Sequence, residues 1–172
     1  MAATATSNWV PLEVYLRSSY EPDAEYVDGE IEERAVGEYD HSSWQEAIIL
    51  WFRQHASEWN VRVKPELRVQ VSRSRFRIPD VTVLDRALPI EQIITHPPLA
   101  VFEVLSPEDS MTRVLRKLED YAKMGIPEIW VIDPKTRQAR VYRDGALVPA
   151  TVFGEPGGRM HFEIKEIEAL LD

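Results

Sequence analysis

Cysteine is absent from all 172 residues, which removes disulfides, thiolate zinc sites and cysteine nucleophiles together. Histidine is nearly as scarce. His41, His55, His96 and His161 lie far apart and form neither HxH nor HExxH, so a zinc-hydrolase site has little support. Any metal would be held by oxygen or histidine, and Mg²⁺ or Mn²⁺ on carboxylates fits best. No apolar run reaches the roughly 18 residues a membrane helix needs. The opening MAATATSNWV has neither a charged nor an apolar leader segment, so a soluble, cytoplasmic protein with no membrane partner is expected. Repeats and low-complexity stretches are missing too. What is present is apolar: 44% of the chain is hydrophobic and five residues are Trp, enough for one packed core. A single domain over 1–172 is expected, with an acidic helix and hairpin in 1–40 and a core in 41–135.

The net charge of −9 is unevenly spread. Residues 1–40 carry ten acids against Arg17 and Arg34, a net of −8, so the other 132 residues sum to −1. Within them Arg62, Lys64, Arg68, Arg73, Arg75 and Arg77 are interrupted only by Glu66. This run reads either as a solvated strand-and-turn face or as a local phosphate-binding patch, with Arg73, Arg75 and Arg77 the DNA-binding candidates.

Pro11 suits the first position of a short helix over 10–18. Asp28-Gly29 predicts a tight hairpin between Glu25-Tyr26-Val27 and Glu30-Ile31-Glu32-Glu33. Ser43-Trp44-Gln45-Glu46 has the capping-box form and opens a helical apolar period that predicts a helix over 43–58. Strands are predicted over 61–71, 76–84 and 100–105. A second helix is predicted from an Asp109 or Ser110 cap, with Met111, Val114, Leu115, Leu118, Tyr121 and Ala122 as its stripe and Gly125 and Pro127 as its stop. Tyr121 and Trp130 read as core on this pattern. A buried strand over 128–132, a hairpin of 138–142 with 146–153 around Asp144-Gly145, and a short closing helix over 163–171 follow. From the first long helix the order is α-β-β-β-α-β, so the fold class is α/β, a mixed sheet flanked by helices.

Two of the predicted strands carry a single acid in an apolar run: Asp80 in Ile78-Pro79-Asp80-Val81-Thr82-Val83 and Glu103 in Leu99-Ala100-Val101-Phe102-Glu103-Val104-Leu105. A carboxylate stripped of water there needs a cation, a proton or good hydrogen-bond donors. Two of them on neighbouring strands suggest a shared divalent ion, with the Val104 backbone carbonyl as a further ligand. Phosphodiester hydrolysis needs such a cation, an activated water and help for the leaving oxygen. Lys117, on the helix that follows the Glu103 strand, could orient or deprotonate the water or bind the phosphate. Glu46 is a possible auxiliary acid, with its capping-box position as the competing explanation.

Pro79-Asp80, Phe102-Glu103-Val104-Leu105-Ser106-Pro107, Lys117-Leu118-Glu119-Asp120-Tyr121, Gly125-Ile126-Pro127-Glu128-Ile129-Trp130 and Ile132-Asp133-Pro134 resemble, in order and spacing, the Uma2 family, also called DUF820. So do Glu25-Tyr26-Val27-Asp28-Gly29-Glu30-Ile31 and His41-Ser42. The resemblance spans about 10–170 and implies a restriction-endonuclease-like fold of the PD-(D/E)XK superfamily. It implies an endonuclease acting on DNA with Mg²⁺ or Mn²⁺, with Asp80, Glu103 and Lys117 as its catalytic set and Glu25 and His41 at family positions near it. Superfamily analogy adds a homodimer. One departure stands out: where the D/E-x-K element has lysine, two residues after the acid, this chain has Leu105, and Lys117 is expected to substitute. The competing expectations are a non-catalytic binding or assembly module on the same fold and a hydrolase of small phosphoesters.

Overall fold

The computed structural model describes residues 8–172; most of the opening segment read above, Met1–Ser7, lies outside them. Ten of the twelve strands form two larger sheets. The larger has six strands in the order β10-β9-β8-β7-β6-β3: β3 is Val61–Pro65, β6 Val81–Asp85, β7 Ala100–Val104, β8 Glu128–Asp133, β9 Gln138–Arg143 and β10 Ala146–Pro149. The pair β7 and β8 is parallel and its neighbours are antiparallel. A parallel pair requires a crossover, and α3 (Met111–Met124) supplies it. Ser110 caps α3, its hydroxyl accepting from the Arg113 N–H, and Gly125 ends it in the left-handed conformation at φ +95°.

Strand alternation sorts the sheet's two faces. Val61, Val63, Val81, Val83, Phe102, Trp130 and Ile132 pack on α2 (Tyr39–Gln54) through Trp44, Ile48 and Phe52. Val101, Ile129 and Val131 pack on α3 through Val114, Leu118 and Tyr121. The predicted α-β-β-β-α-β order is met by the helices and the large sheet, α2-β3-β6-β7-α3-β8, with two strands of a second sheet inserted between β3 and β6.

A four-stranded sheet, β2-β1-β5-β4, leans on this core. The hairpin of β1 (Ala24–Val27) and β2 (Glu30–Glu33) turns at Asp28-Gly29, both at positive φ. With α1 (Leu12–Arg17) it buries Tyr15 and Tyr26 against Phe76. β4 is Val69–Ser72 and β5 Arg75–Arg77.

Two predicted strands break here, because each changes sheet. The 61–71 run turns at Glu66, at φ +50°, so β3 joins the large sheet and β4 the small one. The 76–84 run stops at Ile78-Pro79-Asp80, since proline has no N–H to give a ladder, and β5 and β6 diverge. Asp80 therefore stands on the seam between sheets rather than inside a strand. The long helix also differs from its expected bounds. α2 starts at Tyr39 with Glu38 as N-cap and no side-chain cap bond, so Ser43 and Glu46 form no capping box; Asp40 suits the positive end of the helix dipole.

After β10 the chain leaves the sheet. β11 (Val152–Phe153) pairs with β12 (Phe162–Glu163) and carries Phe153 under Trp130 and Phe102. The closing helix α4 is Ile164–Glu168, with a Glu163/Glu166 capping box. Among the described residues no helix is long and apolar enough to cross a membrane.

Candidate active site

The seam brings three acids into one cleft. Asp80 is 4% exposed, and both its oxygens accept hydrogen bonds: Oδ2 from the Val104 N–H at 2.7 Å, and Oδ1 from the Arg34 guanidinium at 2.6 Å. His41 Nε2 stands 3.3 Å from the same Oδ1. Burial opposes the Asp80 charge, but His41, Lys117 and Arg34 together hold the carboxyl below its usual range. The same contact raises the His41 pKa against the effect of burial.

Glu103 points to the other face of β7, toward α3. Lys117 and Tyr121 are four residues apart on that helix and so share a face. Tyr121 donates its hydroxyl to Glu103 at 2.6 Å, and Lys117 Nζ lies 2.9 Å from the same carboxylate. Lys117 also reaches Glu25 at 2.7 Å and the Ile78 carbonyl at 3.1 Å. Glu25 comes from β1, 2% exposed, and accepts from the Ile78 N–H at 2.8 Å and from Arg77 at 3.0 Å. The proline break thus serves both acids: Ile78 before it holds Glu25 and Lys117, and Asp80 after it holds the cleft wall at Val104.

Asp80, Glu103, Lys117, Glu25 and His41 are therefore together, and Val104 lines the same cleft. Its open space, about 50 Å³, takes a few water-sized occupants and no base or sugar. Other expected positions lie elsewhere. Glu46 is exposed on α2 and faces a separate surface with Ile49 and Pro65; its neighbour Gln45 reaches the site instead, donating to the Asp80 carbonyl at 2.9 Å. Arg77 is wholly buried among Glu25, Glu32 and Asp120 and cannot touch DNA. Arg75 is engaged by Asp28 and Asp120, while Arg73 stands exposed in the β4–β5 turn. Sequence reading gave no site role to Arg34, Tyr121 and Gln45. Only Tyr121 had a usable signal, its four-residue spacing from Lys117.

Glu103 is short of positive charge. Burial raises its pKa, Lys117 opposes that, and the neighbouring Asp80 and Glu25 reinforce it, leaving the carboxyl at about 7 against an ordinary 4.5. The folded state thus binds this proton more readily than the unfolded chain. Stability from it is complete below pH 4.5 and lost as pH rises through about 7. Glu103→Gln is expected to stabilise the metal-free protein at about pH 8, by on the order of 3 kcal/mol, and to change little near pH 4.5. Urea unfolding in chelator at both pH values measures this; an equal effect at both contradicts it.

The described residues contain no group of three or more His, Asp or Glu side chains set around one point as a metal cage. Mg²⁺ commonly needs only one or two carboxylates, filling its other positions with water and phosphate oxygen. Asp80 and Glu103 meet that need in chemistry, both being hard oxygen donors and Glu103 being short of compensating charge.

A mixed sheet in α-β-β-β-α-β order, with acids converging where its central strands meet the smaller sheet, is the restriction-endonuclease-like architecture. The chain belongs to the Uma2 family, whose model, described as "Putative restriction endonuclease", matches residues 12–160. A crystal structure of a "putative nuclease belonging to DUF820" from Anabaena variabilis superposes with a TM-score of 0.79. The match is 23% identical and covers 94% of this chain and 98% of that one. A looser likeness is to the cryo-EM structure of a DrdV–DNA complex, with a TM-score of 0.40 and 16% identity over 76% of this chain and 13% of that one; it is too distant to establish shared architecture. No protein with a curated description matches.

Proposed function

We propose that the protein is an endonuclease that hydrolyses DNA phosphodiester bonds with Mg²⁺ or Mn²⁺, with Asp80, Glu103 and Lys117 as its working residues. The observation that carries this reading is the Lys117 ammonium, brought from α3 to within 2.9 Å of Glu103 although the strand position for a superfamily lysine is Leu105. Without that contact the two acids would remain a fold feature with nothing to act on a water.

Asp80 and Glu103 would hold the metal, with the Val104 carbonyl beside them in the cleft wall. When bound, the ion supplies charge stabilisation for the developing phosphorane and acidifies water. Lys117, held by Glu25, Glu103 and Ile78 and kept protonated by the two acids, places its positive charge where it would orient the attacking water or the phosphate. Tyr121 fixes the Glu103 carboxylate from the other side, and the Val104 N–H and His41 fix Asp80. The cleft is too small for a nucleotide, so DNA is approached from outside, its phosphate offered at the mouth. A cytoplasmic homodimer would pair two such sites for two cuts.

Cleavage of mixed linear, supercoiled and branched DNA with Mg²⁺ or Mn²⁺ tests this reading. Asp80→Asn and Glu103→Gln, each shown to be folded, are expected to lose about a hundred- to a thousandfold in rate. One observation favours a second reading, a non-catalytic binding module: each of the three acids is already paired with protein cations. Absence of cutting on any substrate, together with absence of metal binding by calorimetry, would decide for that module.

A further inference from the structure

Arg34 occupies Oδ1 of Asp80, the oxygen that the Val104 N–H leaves to other partners. Its guanidinium sits 2.6 Å from Oδ1 and forms part of the lining of the same small cleft as Glu103 and Val104. Its side chain is only 13% exposed. A divalent ion on that oxygen and a guanidinium on it repel each other, and both would share a cleft with about 50 Å³ of open space.

The local backbone permits the arginine to move without unravelling the site. Arg34 follows β2 directly, and its own N–H is fixed to the Asp23 carbonyl at 3.0 Å. The anchor is thus the main chain, while the side chain alone spans to Asp80. A second carboxylate waits at the rim: Glu66 lies 3.5 Å from Arg34 Nη1 and is 44% exposed. Pivoting off Asp80, the guanidinium keeps Glu66 as partner and meets solvent. At that mouth a phosphate would arrive, which a guanidinium binds well.

We propose that Arg34 is the resident counter-ion of the metal-free cleft, and that a divalent ion binds Asp80 only by displacing it toward Glu66. This rests on the reading that Asp80 and Glu103 hold a metal. It makes Arg34 a positioning residue that sets metal affinity, with no need for it to touch the reacting atoms.

Calorimetric titration of Mn²⁺ into the full-length protein tests it. The guanidinium and the ion compete for one carboxylate oxygen at close range, so removing the guanidinium should tighten Mn²⁺ binding by about tenfold or more. Arg34→Gln and Arg34→Met, the second keeping most of the side chain's length, are both expected to show this, and Asp80→Asn to abolish it. A readout on the wild type needs no variant to fold: the Arg34 Nε–H resonance in ¹⁵N NMR should shift as Mg²⁺ is added. Unchanged or weaker Mn²⁺ binding in the two Arg34 variants, or an Arg34 resonance that ignores Mg²⁺ while the metal binds, overturns the proposal and leaves the nuclease reading standing. No binding of Mn²⁺ by wild type and variants alike overturns both.

Discussion

Lys117→Met is expected to cut DNA about a hundred- to a thousandfold more slowly than the wild type, the usual range for removing a preorganised electrostatic group, while still binding Mn²⁺. The ammonium has three protons and three acceptors, Glu25, Glu103 and the Ile78 carbonyl, all within 3.1 Å. Its position is therefore fixed before substrate arrives. Asp80 and Glu103 survive the substitution, so metal binding and turnover should separate. Lys117→Arg should not restore the rate, because a planar guanidinium cannot satisfy three acceptors arranged about a point charge. Single-turnover cleavage, calorimetry and a folding check on the same preparations make the measurement. A rate within tenfold of the wild type would remove Lys117 from the mechanism and shift weight to the binding-module reading.

The convergence around Lys117 was partly readable in the sequence. Glu103 announced itself as an acid among apolar residues, and the α3 stripe fixed which face of the helix carries Lys117 and Tyr121. Leu105, just past the end of β7, packs against the cluster that holds Leu118 and Tyr121 of α3, the helix from which Lys117 reaches Glu103. Apolar alternation does not say which sheet a strand joins, so the run through Pro79 read as one strand, and Asp80 became a strand residue instead of a seam residue. Arg34 had no local signal, its partner being 46 positions away. The arginine run misled for a related reason: a charge pattern tells that Arg75 and Arg77 alternate with Phe76 and Ile78, not which side meets solvent. On this chain even the apolar neighbours and Arg77 are buried together, because three acids from distant segments close over the guanidinium.

That closure gives the second large expectation. Arg77→Met should destabilise the protein by about 3–5 kcal/mol, the usual result of leaving buried charges without their partner. Arg77 is 0% exposed, and burial disfavours its charge, but Glu25 and Asp120 hold it firmly protonated. Its Nη1 lies 3.0 Å from both Glu25 and Glu32, and its Nε donates to Asp120 at 2.8 Å. It thereby ties both strands of the β1–β2 hairpin to α3. Each of the three acids keeps another cation, Lys117 for Glu25, Arg75 for Asp120, and Arg113 and Arg116 for Glu32, so the loss is expected toward the lower end of that range. Arg75→Met is the control: its guanidinium is 30% exposed, its partner Asp28 is 48% exposed, and its buried partner Asp120 keeps Arg77, so about 1 kcal/mol is expected. Urea midpoints for the two variants should differ severalfold in their shift. Equal shifts would mean that the number of ion pairs, and not their burial, holds the hairpin to the helix. If Arg77 does hold it, the loss extends to function, because Glu25 reaches Lys117 only from that hairpin. Arg77→Met should then weaken cleavage even under conditions where the protein remains folded, by loosening one of the three acceptors that aim the lysine.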